Sequence, residues 1–126
     1  MDQSAGGPWL GLAELLEALA SSDPAVRARA IARARLSPGA EDVLIEALGD
    51  PDPDVRREAV RALARTEGRR ATGALLEVSS GDVSVAVRAE AVAALGRILL
   101  ARGGPEEPPE PGAGESGGGD QGPATG

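Results

Sequence analysis

Asp50-Pro51-Asp52-Pro53-Asp54-Val55-Arg56-Arg57-Glu58-Ala59-Val60-Arg61-Ala62-Leu63 decides the fold, because versions of it occur three times. It returns as Asp82-Val83-Ser84-Val85-Ala86-Val87-Arg88-Ala89-Glu90-Ala91-Val92-Ala93-Ala94-Leu95. It is foreshadowed by Ser21-Ser22-Asp23-Pro24-Ala25-Val26-Arg27. The offsets between Arg27, Arg56 and Arg88 are 29 and 32 residues. Each copy follows one apolar pattern: Leu15-Leu16-Glu17-Ala18-Leu19, Leu44-Ile45-Glu46-Ala47-Leu48 and Leu75-Leu76-Glu77-Val78. Self-similarity at a period of about 30 residues is the mark of stacked supersecondary units rather than of one irregular core.

Within each unit the apolar residues fall at helical spacing, as in Leu12, Leu15, Leu16 and Leu19, in Val55, Ala59 and Leu63, and in Val87, Ala91 and Leu95. Pro24 and Pro53 stand where a second helix begins, a position at which a missing N–H costs nothing and a fixed φ helps. Gly39, Gly68 and Gly73 read as breaks between units. Val83 to Val87 alternates like a strand, but it leads into a strong helix and reads as a turn and helix start. Each unit is therefore a helix A, a tight turn and a helix B. The predicted helices are 9–20, 24–36, 40–49, 53–66, 71–80 and 85–101. The fold class is all-α: a short α-solenoid of three helix pairs, with repeats at about 9–38, 39–68 and 69–102. Residues 1–8 are expected to be a flexible N-terminus. Residues 103–126 hold no apolar side chain larger than Ala, Pro or Thr, so a disordered acidic tail rich in Gly and Pro is expected there.

Composition narrows function. Among 126 residues there is no Cys, His, Tyr or Phe, and one Trp. Disulfides, thiolate nucleophiles and Cys or His metal sites are excluded, and so is a histidine general base. No metal, cofactor or catalytic residue is expected, and the chain is read as a non-enzyme. There is no signal peptide pattern and no apolar run near the ~20 residues of a membrane span. A cytoplasmic protein that does not engage a membrane is expected. The net charge is −7, and all 13 basic residues are Arg. Five acids (Glu106, Glu107, Glu110, Glu115 and Asp120) lie beyond residue 102, so the helical part is close to neutral.

At the level of these motifs the chain resembles the HEAT repeat family, in the short form of the phycobilisome-lyase-like HEAT repeats. The residues that carry the resemblance are the Asp-x-x-Pro-x-Val-Arg turn and the Val-Arg-x-x-Ala-(Val/Ile) start of each helix B, over roughly 9–101. The resemblance implies a right-handed superhelix with helix B on the concave side. It also implies a ladder in which turn Asp residues pair with helix B Arg residues between repeats, here Asp50 and Asp82 with Arg27, Arg56 and Arg88. Ser21 replaces the Asp in the first repeat, so the ladder is expected to be incomplete at that end. Some relatives are enzymes, namely phycobilisome chromophore lyases and deoxyhypusine hydroxylase. The iron-binding His-Glu motifs of the hydroxylase have no counterpart in a chain without His, and no residue marks a chromophore pocket. The HEAT-like DNA glycosylases are much longer and use an aromatic and acidic site that is missing here.

The favoured function is protein–protein interaction or scaffolding through an Arg-rich helix B face, with an acidic segment as the partner chemistry. The A helices carry Glu14, Glu17, Glu41, Asp42, Glu46 and Glu77 and no Arg, whereas Arg29, Arg33, Arg57, Arg61, Arg65 and Arg97 belong to the B face. Register argues against a nucleic-acid stripe: Arg57 aligns with Ala28 and Ala89, and Arg61 with Ala32 and Ala93. A single aromatic residue leaves almost nothing for bases to stack on. Asp50 to Asp54 imitates a calcium loop, but Val55 and Arg61 stand where Gly and Glu are required. Trp9 is expected to cover the N-terminal end of the stack. Leu99 and Leu100 extend the apolar end of the last helix beyond what one face can bury, so self-association through that helix is a further expectation.

Overall fold

The computed structural model describes residues 9–66 and 68–102; the expectations for 1–8 and 103–126 fall outside them. The helices are α1 (Leu12–Leu19), α2 (Pro24–Ala32), α3 (Pro38–Ala47), α4 (Pro53–Thr66), α5 (Arg69–Gly81) and α6 (Val85–Ala101). They alternate as A and B helices, so three pairs stack in chain order, an all-α solenoid-like arrangement. The described residues hold no strand apart from one short backbone pairing at Leu10.

That pairing explains the largest departure from the predicted helix bounds. Leu10 N–H donates to the Arg33 carbonyl at 2.7 Å, and Arg35 N–H donates to the Leu10 carbonyl at 2.8 Å. Residues 9 and 10 are thus extended rather than helical. Helix α2 stops at Ala32, not 36, because the backbone of 33–35 is spent on Leu10. Downstream, Ser37 Oγ accepts from Ala40 N–H at 3.1 Å, and Pro38 takes the first helical position. Gly39 therefore lies inside the first turn of α3 and is not a break. A Cβ there would stand 2.8 Å from Leu12 Cδ2, so the glycine lets the end of the Leu12 side chain lie against the start of α3. Gly68 does separate units as the N-cap of α5, whereas Gly73 lies within that helix.

The A–B turns are held by side chains acting on backbone N–H groups. Asp23 accepts from Ala25 N–H at 2.9 Å. Asp52 Oδ1 accepts from Asp54 N–H at 2.8 Å and Val55 N–H at 3.2 Å, and Ser84 caps α6 through Val87 N–H. These bonds satisfy donors that a helix start leaves orphaned. The carboxylates of Asp50 and Asp52 are thereby committed to ladder and turn, while Asp54 stands exposed 3.8 Å from Arg57, which accounts for the calcium-like pattern without a metal role.

Leu15, Ile31, Leu44, Leu63, Leu75 and Ile98 are fully buried between the layers. The B helices meet through small residues, with Ala59, Ala62, Ala91 and Ala94 all buried. Small side chains let α2, α4 and α6 pack along one another, while the A helices touch only locally. Among the described residues no helix is long and apolar enough to cross a membrane.

Candidate functional site

Two groups of arginines lie on the B helices, and they do different work. The first is the ladder. Arg27 Nε and Nη2 donate to the Asp50 carboxylate at 2.9 and 3.0 Å, while its Nη1 donates to the Ser21 carbonyl. One repeat later Arg56 donates to Asp82 at 2.8 and 3.1 Å, and its Nη1 to the Asp50 carbonyl at 2.8 Å. Each guanidinium thus ties its own A–B turn to the turn of the following repeat by a bidentate, charge-assisted pair. Burial works to raise the pKa of Asp50 and of Asp82, but the facing guanidinium and a backbone N–H hold both below the ordinary carboxylate value.

The ladder runs in one direction, from each Arg to the Asp of the next repeat. Ser21 therefore leaves no gap, because no described repeat precedes it. The incomplete rung is at the opposite end from the one expected. Arg88 Nη1 donates to the Asp82 carbonyl at 2.6 Å, but among the described residues no carboxylate forms an ion pair with it.

The second group surrounds Glu90 between α4 and α6. Arg61 contacts Glu90 Oε2 at 3.1 Å and also Glu58 at 3.1 Å. Arg57 stands 3.7 Å and Arg97 3.9 Å from the same Glu90 carboxylate. Hydrogen bonding from Arg61 is the main force holding Glu90 below its ordinary pKa, assisted by the charges of Arg57 and Arg97 against the opposing effect of burial. Arg57 Nε is buried and has no hydrogen-bond partner among the described residues. Arg61, Ala64, Arg65, Glu90 and Arg97 line a shallow groove of about 510 Å³. Three arginines and one acid give that groove a net positive charge.

Arg65 also lies over Trp9, with its guanidinium carbon 5.4 Å from the ring centroid. Trp9 is about half exposed, and its ring lies against Arg65 in the last turn of α4. Arg29 and Arg33 are exposed on and just beyond α2, away from the groove. Leu99 and Leu100 are exposed at the end of α6.

The charge division between layers is less complete than the sequence implied. Helix α5 starts at Arg69, so an A helix carries two arginines, and Arg70 reaches Asp42 at 2.6 Å on α3. Glu90, the centre of the basic groove, was not singled out in the sequence. Its signal was the in-register pair Glu58 and Glu90, two residues after Arg56 and Arg88. Among the described residues no group of three or more His, Cys, Asp or Glu is placed to hold a metal ion.

The family described as HEAT repeats matches residues 12–96. No curated protein and no solved structure matches the chain.

Proposed function

The chain belongs to the HEAT repeat family, and from that premise we propose that it is a non-enzymatic protein-interaction module that binds an acidic segment of a partner in the groove of Arg61, Arg65 and Arg97. HEAT repeats commonly mediate protein–protein contacts, and the basic groove supplies the specific chemistry. The observation that carries the reading is the convergence of Arg61 and Arg97 on the Glu90 carboxylate in a groove that Arg65 also lines. Glu90 prepositions the guanidinium groups without neutralising them. Arg97, at 3.9 Å, and Arg65, outside the Glu90 cluster, keep donors for an incoming carboxylate. The absence of His and Cys from the sequence supports the non-enzymatic reading, and the absence of Cys suits the reducing cytoplasm. The repeat offsets of 29 and 32 residues support the short, phycobilisome-lyase-like form of the repeat.

Binding of a fluorescein-labelled peptide of alternating Glu and Ser tests the site. Residues 1–102 and the full chain serve as receptors, because the acidic segment 103–126 is a potential competitor. Arg61→Ala, Arg65→Ala and Arg97→Ala together are expected to weaken binding about tenfold or more, and Glu90→Gln to strengthen it. Undiminished binding by the triple variant would place the site elsewhere.

A further inference from the structure

The two ends of the stack are built differently, and the difference is visible in register. Ile31, Val60 and Val92 occupy the same position on α2, α4 and α6. The first two are 0% exposed and the third is 59% exposed. Arg27, Arg56 and Arg88 form a second column, in which the first two hold the aspartate of the following repeat and the third does not. Ala34, Leu63 and Leu95 form a third; Ala34 and Leu63 are wholly buried, and Leu95 is partly exposed. Inside the stack the Arg column is closed by the turn of the next repeat, and Ile31 and Val60 are buried where α2, α4 and α6 pack along one another, while Ala34, just beyond α2, pairs with Leu10. On α6 the same surface is present with nothing upon it among the described residues, and Leu99 widens it. Arg88 is already oriented: its Nη1 bond to the Asp82 carbonyl copies the Arg56 bond to the Asp50 carbonyl, which directs Nε and Nη2 outward as in the two complete rungs.

The opposite end lacks the matching parts. Ser21 stands where Asp50 and Asp82 stand, so the first repeat offers no carboxylate to a preceding arginine. Arg33 is exposed at the register position where Ala62 and Ala94 are buried against a neighbour. A second copy stacked head to tail would therefore bring Ser21 to Arg88 and a charged side chain to an alanine-lined seam. Two copies joined through their C-terminal ends would bring Arg88 against Arg88.

From this asymmetry we infer that the C-terminal end of the solenoid is a docking face for a HEAT-type helix pair of another polypeptide, whose turn aspartate completes the rung at Arg88 and whose apolar seam covers Val92, Leu95 and Leu99. The occupant is specified by three features: a carboxylate at the start of an A–B turn, a helix B following it, and small apolar residues on the face of that helix. This surface is separate from the Arg61–Arg65–Arg97 groove, so either assignment can fail without the other.

The full-length chain carrying Ser21→Asp and Arg33→Ala is the probe, because these changes give its N-terminal end the two parts that the proposed partner must have. Sedimentation velocity is measured on the wild type, on the variant and on their mixture, with circular dichroism to verify folding. The wild type is expected to be monomeric and the variant to form head-to-tail species of two or more chains, as a heterologous contact must. Adding Arg88→Ala or, separately, Val92→Asp to the variant is expected to weaken association about tenfold or more while leaving helicity unchanged. A folded variant that stays monomeric overturns the proposal. A wild-type dimer abolished by Val92→Asp also overturns it, in favour of a second copy. Association that appears only after deletion of 103–126 overturns it in favour of the acidic segment of the same chain.

Discussion

Helices α4 and α6 start with nearly the same sequence, Val-Arg-x-Glu-Ala-Val, and meet different fates. In α4, Arg56 is 9% exposed and bound to Asp82, and Val60 is wholly buried. In α6, Arg88 has no carboxylate partner among the described residues, and Val92 lies mostly in solvent. The residues are equivalent and the neighbours are not. Burial and pairing in a stacked repeat belong to a position in the stack as much as to a side chain, which is the behaviour expected where each unit contacts only its neighbours.

The strongest test of that contrast is Asp82→Ala. It strands the Arg56 guanidinium in a buried seam and releases the Ser84 N–H that Asp82 accepts from. A loss of about 3–5 kcal/mol is expected in urea denaturation, comparable with the whole stability of a domain this small. Arg88→Ala, at the open end, should change stability by no more than about 0.5 kcal/mol. Next comes the apolar column. Val60→Ala should cost about 2 kcal/mol through lost burial and the cavity left behind, whereas Val92→Ala should cost less than about 0.5 kcal/mol. Equal costs at the two positions would break the comparison.

Acid should expose the same seams. Asp50, Asp82 and Glu90 all have folded pKa values below their ordinary ones. At acid pH the unfolded chain therefore binds more protons than the folded one. The stability they supply is complete above about pH 5 and is lost as pH falls through the unfolded values near 4 toward the lower folded ones. With no His or Cys in the chain, urea midpoints should be nearly flat between about pH 5 and 9. A modest effect of opposite sign is expected at Gly96, the α6 counterpart of Ala64 in α4. A Cβ there meets nothing within 4 Å, so Gly96→Ala should stabilise by about 0.5–1 kcal/mol, read as a rise in thermal midpoint.

Most of the fold was legible because the repetition is carried by residues with local physical consequences. Pro53 at the first turn of α4 and the apolar spacing of α6 place those two helices at 53–66 and 85–101, as the structure has them. The start of α2 at Pro24 was legible, but the start of α1 and the end of α2 were not, since they depend on Leu10 pairing with Arg33 and Arg35, a contact between segments distant in sequence. Gly39 and Gly73 misled for the opposite reason: a glycine signals a break only when nothing else demands it, and at Gly39 the demand is the approach of Leu12. The ladder residues came from the family resemblance, which pairs turn Asp with helix B Arg between neighbouring repeats without saying which neighbour; the structure sets the direction, from Arg27 to Asp50 and from Arg56 to Asp82. Of the basic groove, Arg61, Arg65 and Arg97 were visible as charges on the B helices. Glu90, on which Arg57, Arg61 and Arg97 converge, was hidden among ordinary helix-surface acids until α4 and α6 were side by side.

The central claim is that position in the stack sets what each repeat surface does, and that among the described residues nothing covers the outer face of α6. It is tested most directly by giving α6 a neighbour in the same chain. A copy of residues 67–102 joined after Ile98, which aligns with Thr66 at the natural junction, would bring a second Asp82 to Arg88. Urea denaturation is then compared for the extended chain with Val92 and with Val92→Ala. The account predicts a higher midpoint for the extended chain, and a cost for Val92→Ala that rises from under about 0.5 to about 2 kcal/mol, matching Val60→Ala. An unchanged midpoint with Val92→Ala still neutral would contradict it.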